Sequence, residues 1–112
     1  MKIIGLVLIL TISAHVFAAN NLDCSNPNAN LNVAITLTGP ATATIRVISP
    51  FKKLMTCSFS DFDNKGEIFL AFACGTGAGL PSILDFSKKS MKGFIEVVNQ
   101  PHYDLTCREK LK

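Results

Sequence analysis

The chain has 112 residues and a mass of 12.1 kDa, enough for one domain with its own core and too little for two. Hydrophobic types make up 48% of it and charged types 17%, which excludes an intrinsically disordered chain. The formal net charge is +3, a modest basic excess.

Met1-Lys2 gives a positive start, and Ile3 to Leu10 is an apolar run broken only by Gly5. Val16-Phe17-Ala18 then places small or β-branched residues just before a cut. This order predicts a secretory signal peptide over 1–18, cleaved after Ala18, because the run falls short of the about 20 residues a membrane span needs. Residues 19–112 are then a single exported domain, secreted or periplasmic, and no further long apolar stretch follows. Removing Lys2 leaves ten Lys and Arg against eight Asp and Glu, a mature charge of +2. Asp23 before Cys24 is the wrong neighbour for a lipid-attachment box.

Ser25-Asn26-Pro27-Asn28-Ala29-Asn30 has the composition of a turn. Beyond it Leu31, Val33, Ile35 and Leu37 alternate with Asn32, Ala34, Thr36 and Thr38, the period of a half-buried strand. Gly39-Pro40 ends that run, and a second covers 42–49 before Pro50. Further strands are expected over 54–61, 67–74, 94–98 and 103–108, with turn signals about every ten residues. Residues 80–93 read two ways. Pro81, the apolar spacing and Gly93 suit a short helix within 81–92, whereas Leu84 and Phe86 on one face suit a strand followed by a turn. The strand-plus-turn reading is preferred. The pattern predicts an all-β sandwich or barrel of six to eight short antiparallel strands.

Cys24, Cys57, Cys74 and Cys107 all lie in the mature chain. An even number of cysteines without a Cys-x-x-Cys pair, in an exported chain, predicts two disulfides rather than a metal site. Three connectivities are available. Asp63-Asn64-Lys65-Gly66 reads as a tight turn. If Lys65-Gly66 are its two central residues, counting outward sets Cys57 opposite Cys74 and Phe59 opposite Phe72. A loop longer by one residue would put the two cysteines on opposite faces. The favoured pairing is therefore Cys57 with Cys74, leaving Cys24 for Cys107.

No motif names a reaction. Gly75-Thr76-Gly77-Ala78-Gly79 lacks the third spacing of a dinucleotide fingerprint and the Gly-Lys-Ser/Thr of a phosphate loop, so it is a strand connection and a candidate binding loop. Asp61-x-Asp63-x-Lys65-Gly66 begins like a calcium loop, yet Lys65 and Phe72 stand where oxygen ligands belong. Ser49-Pro50-Phe51-Lys52 matches a β-lactamase signature in composition only. Lys52-Lys53, Lys88-Lys89-Lys92 and Arg108-Lys110-Lys112 form small basic clusters, of which Lys88, Lys89 and Lys92 are the candidate patch for an anionic surface. With one tyrosine and no tryptophan, a nucleic-acid stacking platform is poorly supplied. His102 is the mature chain's imidazole. It becomes catalytic only if an acid such as Glu96 and a cation such as Arg46 or Arg108 converge on it.

In size, β content and terminal cysteines the chain resembles the periplasmic lysozyme inhibitors of bacteria, which implies an inhibitor-like scaffold. Their Ser-Gly-x-x-Tyr loop is absent, because no tyrosine follows the Gly75 to Gly79 run, and the basic charge opposes a basic lysozyme. The expected function is a non-enzymatic exported β-domain, without cofactor or metal, that binds a protein or an anionic surface through its loops. The alternative is a small ribonuclease-like secreted hydrolase using His102.

Overall fold

Residues 20–75 and 81–110 are described by the structure, a computed structural model. The segment read as an export signal lies outside them. Eight strands follow in chain order: β1 (Asn21–Asn26), β2 (Leu31–Leu37), β3 (Thr42–Ser49), β4 (Lys53–Asn64), β5 (Glu67–Cys74), β6 (Ser82–Ser87), β7 (Lys92–Glu96) and β8 (His102–Glu109). Each pairs antiparallel with the next, and β8 returns to pair with β1, closing a barrel. The all-β expectation is met by the barrel rather than the sandwich.

Alternation along the strands decides which side chains enter. Leu22, Ile35, Ile45, Leu84 and Phe86 are fully buried, and Val33, Val47, Leu70, Phe72 and Ile95 nearly so. Burying side chains of this kind contributes about 1.5–3 kcal/mol each. Eight strands leave an interior that side chains can just fill, and here Phe72 and Phe86 stack within it, centroids 6.2 Å apart. Many outer positions are polar, as in the row Asn21, Thr36, Thr44, Thr56 across β1 to β4. Apolar inside and polar outside is the reverse of what a lipid-embedded barrel needs. Among the described residues no helix is long and apolar enough to cross a membrane.

Lys65 and Gly66 take positive φ values of 56° and 85°, forming the two-residue turn, and Asp63 Oδ1 accepts a bond from Gly66 N–H at 2.9 Å. The register that follows sets Cys57 against Cys74 and Phe59 against Phe72. Both disulfides form, Cys57–Cys74 with Cα atoms 4.1 Å apart and Cys24–Cys107 with 3.9 Å. The first joins β4 to β5. The second crosses the β8–β1 seam, where the first and last described strands pair.

Several boundaries differ from the expectation. Residues 21–26 form β1, a strand the turn-rich composition concealed, and the turn begins only at Pro27 as a single 3-10 turn (Pro27–Ala29) with Asn26 capping its N-terminus. The run expected over 54–61 extends to Asn64, because Phe62 and Phe69 stack at 5.4 Å and carry the hairpin past the rim. The run expected over 94–98 is instead Lys92–Glu96, since Gln100 N–H bonds to Val97 O and starts the turn there. Residues 82–87 are strand and 88–90 turn, so no helix forms within 81–92. At Gly93 an added Cβ would lie 1.8 Å from Asp85 O and 2.6 Å from Phe86 Cα, so only glycine lets β7 approach β6.

The alternating strand directions sort the connections into two ends. One end holds residues 27–30, 50–52 and 97–101 together with Gly75 and Pro81, and includes the cis peptide Ser49-Pro50. The other holds 38–41, 65–66 and 88–91.

Candidate functional site

Strands β7 and β8 pair Glu96 with His102 and Phe94 with Asp104. Since residues two apart share a face, all four side chains stand together on the outer wall. Alternation along β8 separates Tyr103 from Asp104. Tyr103 packs against the core, whereas Asp104 lies on the imidazole's own side. His102 Nδ1 is 2.9 Å from Glu96 Oε2, and Nε2 is 3.2 Å from Asp104 Oδ1. The ring stacks on Phe94 at 5.1 Å. A neutral imidazole can donate from one nitrogen only, whereas the cation donates to both carboxylates. The hydrogen bond to Glu96, and after it that to Asp104, accordingly raises the His102 pKa above its ordinary 6.5.

Across β6, Asp85 stands opposite Phe94. Its carboxyl is also raised, first by partial burial and then by the charge of Glu96. Asp85 borders a shallow groove of about 360 Å³ floored by Ser58, Ser60, Ala71 and Ala73. Two carboxylates thus flank the His102 ring, with Asp85 one strand further away. Arg46 stands on β3, and Arg108 lies further along β8, so neither joins this cluster as the hydrolase expectation required. No group of three His, Cys, Asp or Glu side chains is placed to hold a metal among the described residues.

The other expected sites separate. Of the glycine-rich loop only Gly75 is described; Thr76, Gly77, Ala78 and Gly79 lie outside the described residues. Lys88, Lys89 and Lys92 differ in their surroundings. Lys88 Nζ bonds to Asp61 Oδ2 at 3.0 Å and ties the β4–β5 hairpin to the β6–β7 turn, while Lys89 and Lys92 remain exposed.

A second surface was not singled out in the sequence. Ile48 and Leu54 are 50% and 62% exposed on neighbouring strands. They line a groove of about 540 Å³ with Arg46, Lys52 and Lys53. Ile48 also borders a groove of about 640 Å³ that runs over β1 to Thr106, Arg108 and Lys110. The signal was present: Val47-Ile48 puts two apolar residues in succession, so one of them must face outward.

No protein-family model, curated protein or solved structure matches this chain.

Proposed function

We propose that the protein is an exported, non-enzymatic β-domain that binds a protein or an anionic surface with its loops and the outer wall next to them. The observation that carries this reading is the filled interior. A barrel occupied by its own side chains has no room for cargo, so recognition falls to the exterior. Two disulfides and a closed sheet make that exterior rigid, and rigid scaffolds present contact residues at low entropic cost. They also suit a secreted or periplasmic location, where disulfides persist.

The hydrolase alternative draws support from the Glu96–His102 contact, an acid beside an imidazole. Against it stands the charge: with His102 protonated, Asp85, Glu96 and Asp104 leave the cluster net negative, which repels a phosphodiester. The oxidised domain and its His102→Ala variant are to be incubated with RNA and a fluorogenic diester. The expected outcome is turnover by neither. Turnover by the parent that the variant loses would replace the binding reading with the hydrolase one.

A further inference from the structure

Of the eight described Lys and Arg residues without an ion pair, five border the two grooves. Arg46, Lys52, Lys53, Arg108 and Lys110 carry no ion pair to another described residue, whereas Lys88 and His102 are paired. Register places these residues relative to one another. Arg108 stands opposite Asp23, Asp23 opposite Ala34, Ala34 opposite Arg46, and Arg46 opposite Leu54, one row running from β8 through β1, β2 and β3 to β4. The residues lining the two grooves include these five cations and one acid, Asp23, which faces Arg108. Strands about 4.8 Å apart put Arg108 roughly 14 Å from Arg46, a distance that four or five extended residues cover. Within this charged frame lie Ile48 and Leu54, both exposed, and the two grooves meet at Ile48.

Exposed apolar side chains in a concavity rimmed by charge mark a contact surface. We infer that the outer face of β8, β1, β2, β3 and β4 binds an extended acidic protein segment whose apolar side chains seat on Ile48 and Leu54 while its carboxylates meet Arg46, Lys52, Lys53 and Arg108. This rests on the binding reading above and gives it a site and a partner chemistry. Three features favour a peptide over other polyanions. The grooves are concave, which suits an inserted strand better than a flat lipid surface. Ser25, Asn32 and Thr106 line the larger groove with hydrogen-bonding side chains that a peptide backbone can use. Phe51, the ring beside Lys52 in sequence, packs on the core and offers no platform for a sugar or base.

The test is selection of a random dodecapeptide library on the oxidised domain, followed by anisotropy titration of the winning peptides. Selected sequences should be rich in Asp and Glu with interspersed Leu, Ile or Phe, and should weaken as salt is added. Arg46→Glu and Leu54→Ser should each lower their affinity about tenfold, while Lys65→Glu, in the β4–β5 turn at the far end of β4 from Leu54, leaves it unchanged. Circular dichroism and an unaltered thermal midpoint would establish that the variants fold. Selected peptides without acidic residues, or equal binding by all variants, would overturn the site. Stronger binding to phosphatidylglycerol vesicles or heparin than to any peptide, lost in the same variants, would overturn the partner class and leave the binding reading standing. Failure of that reading shows separately, as diester turnover dependent on His102.

Discussion

His102 shows how far a single exposed side chain can be shaped by register alone. Burial does little at this ring; its protonation is raised by the Glu96 hydrogen bond first and the Asp104 bond second. Both contacts need the imidazolium. Their contribution to folding is complete below the ordinary value of 6.5 and is lost as pH rises through the raised folded-state value. The His102 ring resonances, followed by NMR across that range, should therefore titrate above 6.5. Glu96→Gln should move the midpoint down by more than Asp104→Asn does. A midpoint at or below the ordinary value in the parent protein would contradict the ion-pair geometry. The same titration bears on function, since a general base must be unprotonated at the working pH.

At the scale of elements, the β4–β5 hairpin was the most legible part of the chain. A two-residue turn fixes register without knowledge of any other strand, so Lys65-Gly66 carried Cys57 to Cys74 across eight residue pairs. β1 was illegible for the opposite reason. Its inward residues are only Leu22 and Cys24, and the Asn, Ser and Pro that follow resemble a turn until β2 and β8 pair on either side. The His102 cluster was half legible. His102 and Asp104 share a face by the strand period, but Glu96 arrives only through the β7–β8 register, which the five-residue connection 97–101 does not specify in advance. The turn itself retains room for improvement. Lys65 holds a left-handed conformation that costs a residue with a Cβ about 1–2 kcal/mol, a cost asparagine relieves in part. Lys65→Asn should raise unfolding stability by about 0.5 kcal/mol in urea, with the slope of the transition unchanged. A loss of stability would mean that Lys65 makes a compensating contact in solution.

For the molecule as a whole, closure matters more than any single strand. A barrel has no sheet edges, but only if β8 finds β1, and that pairing joins the two ends of the domain. Forming it requires ordering everything between. Cys24–Cys107 spans a sequence separation of 83 and Cys57–Cys74 one of 17, so the two crosslinks restrict the unfolded chain very differently. Chain entropy assigns about 4–5 kcal/mol to the long loop and about 3 kcal/mol to the short one. Domains of this size have roughly 5–15 kcal/mol in total. Both cystines are buried at closely similar levels, so replacing either pair by alanine removes comparable volume, and the difference between the two variants reports loop length. In urea unfolding under oxidising conditions, Cys24→Ala with Cys107→Ala should cost about 1.5 kcal/mol more than Cys57→Ala with Cys74→Ala. The seam variant should also lose the hydrogen-exchange protection of β1 and β8 first, because the backbone ladder alone then holds the barrel shut. Equal costs, or protection retained at the seam, would mean that the filled core closes the barrel without help from the crosslink. The acidic-segment site would then owe its rigidity to packing, since its larger groove lies over the β8–β1 junction.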